Sequence, residues 1–221
     1  MLSRQPEPEY MDLPEEAEAY ARADFSEVNQ AFVDRLVEWA GPCGRARALD
    51  LGTGPADIPM RLLERRPHWR VVGADASLAM LKLALPGIRD RGLSSSLGLV
   101  LGDAKRLPLA SRSFDVIFSN SILHHISETE DLWLEVKRLA RPGAVVLVRD
   151  LARPVTAEAA RRIVERYAGQ ESPLLQEEYY RSLLAAYTPD EVRSQLVKAG
   201  LGSLHVQMIT DRHMDIAGRC S

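Results

Sequence analysis

Apolar residues recur along the chain with two different periods, and the first clear pattern lies within residues 26–40. Val28, Phe32, Leu36 and Trp39 follow one another at spacings of four, four and three residues, which places them on one face of a helix. Ser26 stands where such a helix would begin, and a Gly-Pro turn follows its end. The pattern predicts an amphipathic helix that covers one side of a core.

From residue 46 onward, short apolar runs alternate with segments of helical periodicity. The runs predict strands, and the segments between them predict helices. The expected strands span residues 46–51, 70–75, 97–102, 114–119 and 144–148, and the expected helices span residues 56–66, 78–85 and 128–141. Such alternation with short connections predicts an α/β fold, in which right-handed crossovers wind a parallel sheet in the Rossmann-like, doubly wound manner.

The pattern changes after Asp150. Residues 151–187 carry helical stripes but no strand, which predicts a helical insertion, or lid, after the fifth strand. Thr188, Pro189 and Glu191 have the spacing of a capping box and predict a further helix. The two strands of a hairpin are then expected over residues 203–209 and 213–217.

The length of 221 residues fits one domain with a small appendage. We expect this domain to span residues 26–221, with residues 151–187 lining a substrate pocket. Residues 1–25 are expected to form a segment that covers the ligand site.

Charge and cysteine content exclude several classes of protein. The formal net charge of −3 provides no basic field, so a nucleic-acid partner is not expected. Cys43 and Cys220 do not make a disulfide framework. No apolar run approaches the roughly 18 residues of a membrane span, and the N-terminus lacks the apolar core of a signal peptide. A cytoplasmic protein that acts on a small molecule, as a monomer or a homodimer, is the expectation.

The loop Asp50-Leu51-Gly52-Thr53-Gly54 connects the first expected strand to the helix after it. Its glycines let the backbone turn tightly and approach a ligand. Two features depart from the dinucleotide fingerprint, because Asp57 replaces the third glycine and Asp50 adds a carboxylate. Two acids would repel a pyrophosphate but would suit S-adenosylmethionine, which carries an ammonium and a sulfonium group and no phosphate. The alternative is an acidic turn followed by a helix that Asp57 caps.

Acidic residues also end the next two expected strands. Asp75 follows Gly52 by 23 residues, and Asp103 ends the third strand. A carboxylate at the first of these places can accept hydrogen bonds from ribose hydroxyls, and one at the second can accept from an adenine amino group. Each acid alone is an ordinary strand-end residue. Three acids at one edge of a parallel sheet predict a ligand site there.

These motifs resemble those of class I methyltransferases of the ubiquinone/menaquinone-biosynthesis-like type. The likeness extends over about residues 20–150. It comprises the loop above, Asp75, the Gly102-Asp103-Ala104 segment, Ser119–Ile126 with its Leu-His-His sequence, and Leu139–Ala144. The resemblance implies a seven-stranded sheet whose last strand is antiparallel, and methyl transfer from S-adenosylmethionine by in-line displacement. The residues it places beside that cofactor are Tyr20, Asp50, Gly52, Thr53, Gly54, Asp75, Ala76, Ser77, Met80, Asp103, Ala104, Asn120 and Ser121.

Two groups of residues are candidates for the substrate side. His124 and His125 follow the fourth strand and are plausible general bases, although rings packed under a lid would explain them as well. Adjacent histidines point in different directions, so no metal ion is expected without further ligands. Tyr179, Tyr180 and Arg181 lie in the insertion and would suit an aromatic or acidic molecule, unless they belong to the core.

Two alternatives to a methyltransferase stay open at this point. An NAD-dependent oxidoreductase shares the fold and the ribose-binding acid, but it should carry the third glycine and lack Asp50. A protein that binds S-adenosylmethionine without turnover would keep the same loop and the same acids.

Overall fold

A seven-stranded sheet organises the part of the chain that the computed structural model describes, residues 2–7 and 25–220. The strands are β1 (Arg47–Leu51), β2 (Arg70–Asp75), β3 (Leu97–Leu101), β4 (Phe114–Asn120), β5 (Ala140–Leu151), β6 (His205–Met208) and β7 (His213–Arg219). Their order is β3-β2-β1-β4-β5-β7-β6, and β7 runs antiparallel to both of its neighbours. The predicted Rossmann-like sheet is confirmed, with its order reversing between β1 and β4.

Helices cover both faces of the sheet. They are α1 (Ser26–Ala40), α2 (Asp57–Arg65), α3 (Leu78–Asp90), α4 (Thr129–Leu139), α5 (Ala157–Ala168), α6 (Pro173–Ala185) and α7 (Pro189–Lys198). The buried residues of α1, α2 and α3 share one core with the sheet, whereas those of α4 and α7 share another. Among the described residues, no helix is long and apolar enough to cross a bilayer.

Local sequence signals account for several helix starts. The hydroxyl of Thr188 accepts a hydrogen bond from the backbone N–H of Glu191, and the Glu191 carboxylate accepts one from the N–H of Thr188. This is the predicted capping box, which satisfies two backbone donors at the start of α7. Ser77 caps α3 through the N–H of Met80. Ser26 makes no cap, because it is the first helical residue and Phe25 precedes it.

The connection from α4 to β5 differs from the prediction. The helix ends at Leu139 and the strand begins at once with Ala140, so Pro142 and Gly143 lie inside the strand rather than in a separate turn. The register with β4 shifts here, since Phe114 pairs with Ala140 and Val116 pairs with Val145. Such a bulge tolerates proline, which has no N–H to give to the ladder, and it accommodates the positive φ of Gly143.

Residues 2–7, called here the N-terminal strap, pack on the helical insertion. Leu2 and Gln5 donate backbone hydrogen bonds to Val155 and Leu184, and Leu2 also contacts the buried cluster formed by α5 and α6. The expectation that residues 1–25 cover the ligand site stays a prediction. Tyr20 and the other residues between 8 and 24 lie outside the described residues.

Replacing Glu135 by alanine is expected to destabilise the fold by about 2–3 kcal/mol, because it leaves buried donors without an acceptor. The Glu135 carboxylate accepts from the backbone N–H of Leu107 at 2.7 Å and from two nitrogens of Arg138. Urea unfolding of the variant measures the loss. Glu130→Ala, at an exposed position on the same helix, should change the stability by less than about 0.5 kcal/mol. Equal effects of the two substitutions would contradict the role given to Glu135.

Candidate active site

The glycine loop turns the chain sharply between β1 and α2. Gly52 and Gly54 have φ angles of +71° and +53°, a region that side-chain-bearing residues rarely adopt. A Cβ atom on Gly52 would lie 2.1 Å from Cγ2 of Ile122, which follows β4. Within the described ranges, residues 2–7 and 25–220, no atom outside the neighbouring residues lies within 4 Å of the position that a Cβ would take on Gly54. The loop thus packs against the chain after β4 on one side and opens into a cavity on the other.

This cavity has a volume of about 380 Å³ and lies at the carboxyl ends of the central strands. That volume is within the range of small-molecule sites, roughly 300–1,000 Å³. Five residues that the sequence singled out line it, namely Asp50, Gly52, Thr53, Gly54 and Asn120. The location agrees with the rule that ligands of open α/β sheets bind where the strand order reverses.

The start of α1 forms part of the cavity wall, which the sequence analysis did not predict. Phe25, Ser26 and Asn29 line the cavity, and the Asn29 amide donates to Asp57 at 2.9 Å. Asp57 also pairs with Arg61 at 2.6 Å, so this carboxylate is neutralised by its own helix rather than left to act on a ligand. Periodicity predicted α1 correctly, but it carries no information on which loop the helix approaches.

Asp50 is the acid most deeply placed in this cavity, with 2% of its surface exposed. Burial raises the pKa of its carboxyl group well above the usual range, and the nearby Asp75 raises it further. A buried carboxyl group in this condition gains most from a bound cation, which restores the charged form. The residue therefore fits the ammonium group of an amino-acid ligand.

Asp75 and Asp103 lie at the same edge, beyond the residues that line the cavity. The Asp75 carboxylate accepts from the backbone N–H groups of Gly54 and Ser77, both at 2.8 Å, and burial raises its pKa. Asp103 accepts from the N–H of Lys105 at 2.8 Å. A carboxylate has about four acceptor positions and can therefore accept from more than one donor at once.

The remaining predicted cofactor residues surround this edge without lining the cavity. Ala76 and Ser77 join Asp75 to α3, on which Met80 is buried, and Ala104 follows Asp103. Ser121 has a positive φ and donates its N–H to the carbonyl of Arg149. Their contact with a cofactor stays a prediction.

A second group of polar side chains lies after β4, centred on His124. This histidine occupies a short 3-10 turn, Leu123–His125, and is 4% exposed. Its Nδ1 is 2.6 Å from Oδ1 of Asp150, a fully buried residue of β5. The carboxylate also accepts from the backbone N–H groups of Leu123 and Leu151, both at 2.6 Å. Asp150 therefore holds the proton of His124 on Nδ1 and leaves a lone pair on Nε2.

The N-terminal strap supplies a carboxylate to the other side of this histidine. Oε1 of Glu7 lies 3.6 Å from Nε2 of His124 and 3.1 Å from Nδ1 of His125. The Arg4 guanidinium of the same strap donates to the backbone carbonyls of His124 and Ala185. The strap thus encloses the histidine pair, and the sequence contained no signal for this contact.

Burial and charge act against each other in this group. Burial lowers the pKa of His124, but the Asp150 and Glu7 carboxylates outweigh it and place that pKa above the usual value. Burial raises the pKa of Glu7, and the opposing effects of His124 and Ser182 do not cancel the rise. The group is a compact set of donors and acceptors with little contact with water.

The central part of the chain is similar to known proteins. Residues 49–148 match the family model described as a methyltransferase domain. A demethylmenaquinone methyltransferase of Roseiflexus sp. (strain RS-1) is 38% identical over 118 residues, which cover 53% of this chain and 48% of that protein. This part of the chain is therefore similar to the methyltransferase domains of known proteins. The chain spans about half the length of the first curated relatives that it matches.

Solved structures share the fold of this chain. An S-adenosylmethionine-dependent methyltransferase from Aquifex aeolicus has a TM-score of 0.69 at 19% identity, covering 95% of this chain and 99% of that one. The phosphoethanolamine N-methyltransferase 2 of Haemonchus contortus, solved with S-adenosyl-L-methionine, has a TM-score of 0.65 at 22% identity, covering 84% and 39%. The NAD-dependent oxidoreductase alternative finds no support in these matches.

The predicted substrate residues lie beyond residues 49–148, the part of the chain that matches the family model. The Tyr179 hydroxyl accepts from Arg212 at 2.8 Å, and the Arg161 guanidinium lies over the ring of Tyr180. Arg181 is exposed and pairs with Glu177 at 3.2 Å. None of the three lines the cavity described above. Their role in substrate binding stays a prediction.

Proposed function

We propose that this protein transfers a methyl group from S-adenosylmethionine to a small-molecule acceptor. The observation that carries the proposal is the buried carboxyl group of Asp50 beside the positive-φ glycine loop, in a cavity at the carboxyl ends of the strands. A second anion beside this buried carboxyl group is unfavourable, whereas a ligand cation is favourable. The site therefore suits the ammonium group of the cofactor and disfavours a pyrophosphate.

The other acids at this edge of the sheet would bind the ribose and the adenine of the cofactor and so orient it. Asp75 would accept hydrogen bonds from the ribose hydroxyls, and Asp103 would accept one from the adenine amino group. Asn120, at the end of β4, lines the cavity opposite Asp50 and would contact the methionine end. The open space at Gly54 lets the ligand approach the backbone closely.

His124 and His125 are the residues that we propose to act on the acceptor. In methyl transfer, the acceptor's lone pair bonds to the methyl carbon, the carbon–sulfur bond breaks with its electron pair left on sulfur, and the acceptor loses a proton. The Asp150 carboxylate directs the free lone pair of His124 away from β5 and toward the space shared with Glu7. Such a lone pair can take that proton directly, or it can hold a cation that makes the proton acidic.

A reduced quinone is the acceptor class that the comparisons favour. The Roseiflexus protein named above is a demethylmenaquinone methyltransferase, and the family model matches residues that include the glycine loop and β4. A cytoplasmic location is part of the proposal, since Cys43 and Cys220 are both free thiols.

Calorimetric titration with S-adenosylhomocysteine tests the cofactor assignment. We expect one binding site in the wild type and a 10- to 100-fold weaker Kd for Asp50→Asn, about 1.5–3 kcal/mol, because the amide cannot pair with the ligand ammonium group. Asp34→Asn, an exposed change on α1, is the matched control and should leave the Kd within twofold.

Three results separate the alternatives. Binding of NAD without binding of S-adenosylhomocysteine would overturn the proposal in favour of an oxidoreductase. Formation of S-adenosylhomocysteine from S-adenosylmethionine and 1,4-naphthohydroquinone, but not from the oxidised quinone, would support methyl transfer to a reduced ring. Tight cofactor binding with no turnover on any acceptor would favour the non-catalytic alternative.

A further inference from the structure

Three possible metal ligands converge where the N-terminal strap meets the turn after β4. They are Oε1 of Glu7, Nε2 of His124 and Nδ1 of His125, and all lie within 4.8 Å of one another. The carboxylate oxygen is 3.6 Å from the first nitrogen and 3.1 Å from the second. In a tetrahedral site with metal–ligand bonds of about 2.0–2.2 Å, neighbouring ligand atoms are about 3.2–3.6 Å apart. The carboxylate oxygen therefore lies at nearly the spacing of one coordination shell from each of the two nitrogens.

We propose that Glu7, His124 and His125 form a binding site for a divalent transition-metal ion, for which Zn²⁺ is the best match. Two imidazole nitrogens and one carboxylate oxygen are a donor set that zinc sites use with a further position open. Two histidines alone would not make a metal site. The third ligand is Glu7, which lies 117 residues earlier in the chain than His124 and could not be associated with it from the sequence.

Asp150 provides the support that a metal-binding histidine needs. Its Oδ1 accepts the Nδ1 proton of His124 at 2.6 Å, which orients the ring and increases the basicity of Nε2. The carboxylate is itself fixed by the backbone N–H groups of Leu123 and Leu151. A carboxylate, a histidine and a metal position thus follow one another in the arrangement common to zinc proteins.

The charge balance also leaves a place for a cation. Glu7 and Asp150 bring two carboxylates close to His124, and 14% of the Glu7 side chain is exposed. The Arg4 guanidinium donates to the carbonyls of Ala185 and His124 and lies over the ring of Tyr187, while its charge also acts on Glu7 and His124. A proton shared between them is the competing arrangement, because metal binding requires neutral imidazoles.

The consequence for catalysis rests on the proposed function. Three protein ligands leave at least one coordination position, at which an acceptor hydroxyl would become acidic enough to lose its proton at neutral pH. Glu7 would also connect the strap to the turn after β4, so metal binding would order residues 2–7 over the acceptor site.

Direct titration of the full chain with Zn²⁺ and with Co²⁺ tests the site without any substrate. We expect one ion per chain and, for Co²⁺, the intense visible absorption of a tetrahedral complex. Glu7→Gln and His125→Ala should weaken the affinity by at least about 100-fold, since losing even a supporting residue costs 10- to 100-fold. His205→Ala removes an exposed histidine far along the chain and should leave the affinity unchanged.

The same samples are titrated with S-adenosylhomocysteine, so that the two proposals can fail separately. The metal site is overturned if the wild type binds no stoichiometric ion, or if Glu7→Gln and His125→Ala bind it as tightly as the wild type. Cofactor binding that persists in that case leaves the methyltransferase proposal standing. Neither variant alters the Asp150 contacts, and their far-ultraviolet circular dichroism reports whether the fold is retained.

Discussion

Replacing Asp150 by alanine is expected to lower the free energy of unfolding by about 3–5 kcal/mol, because it removes a buried acceptor to which several donors hydrogen-bond. The carboxylate is fully buried and accepts from the backbone N–H groups of Leu123 and Leu151 as well as from the His124 ring. Without it, these donors lose their partners and have no contact with water. Each unpaired buried donor costs about 1–3 kcal/mol.

Asp150→Asn separates the structural role of this residue from its effect on His124. The amide keeps the shape and can still accept backbone hydrogen bonds, so the loss of stability should be smaller, about 1–2 kcal/mol. It cannot accept from every donor at once, and its NH₂ group would favour the His124 tautomer with the proton on Nε2. That tautomer has no lone pair facing Glu7, so turnover and metal affinity should both fall by at least tenfold.

Urea unfolding and S-adenosylhomocysteine titration of both variants check these outcomes. Asp90→Ala, an exposed change at the end of α3, is the control and should lie within about 0.5 kcal/mol of the wild type. If Asp150→Ala were as stable as this control, the hydrogen bonds to Asp150 would not hold the turn after β4. Cofactor binding by Asp150→Asn should stay near the wild-type value, since Asp150 does not line the cavity.

The sequence was sufficient for the sheet and for the cofactor side of the site because both depend on local signals. A strand, its terminal acid and the glycine turn lie within a few residues of one another, and a parallel sheet brings all such strand ends to one edge. Asp50, Gly54 and Asn120 line one cavity at that edge, while their contact with a cofactor stays a prediction.

The acceptor side depends on contacts between segments that are distant in sequence, and these left no pattern to detect. Glu7 lies in a stretch of prolines and acids that has no hydrophobic period, yet the strap brings it to His124. Asp150 was noticed only as the residue after which the pattern changes, because its contacts with the His124 ring and with backbone groups are not visible in a sequence. The contact of Phe25 and Asn29 with the cavity was missed for the same reason.

Gly52→Ala is expected to destabilise the protein by about 2–5 kcal/mol and to reduce cofactor binding. Two terms contribute: a side chain at φ +71° costs about 1–2 kcal/mol, and overpacking costs about 1–3 kcal/mol. The new Cβ would lie 2.1 Å from Cγ2 of Ile122 and 3.2 Å from its Cβ. Because a β-branched side chain has few rotamers, Ile122 can move aside only if the turn after β4 moves with it.

A second substitution separates these two terms. Ile122→Ala removes the atom that the new Cβ would meet. Adding it to Gly52→Ala should therefore remove the part of the stability loss that is due to overpacking, but not the part that is due to the backbone conformation. Gly54→Ala serves as the contrast, since its φ is also positive but its added Cβ would have no atom of the described part of the chain within 4 Å beyond its own neighbours. It should lose only about 1–2 kcal/mol of stability while its methyl group projects into the cavity and blocks the cofactor. Equal losses of stability in Gly52→Ala and Gly54→Ala would show that Ile122 does not restrict the loop. A clear difference would show that the glycines serve two purposes, Gly52 in packing the loop against the turn after β4 and Gly54 in admitting the ligand.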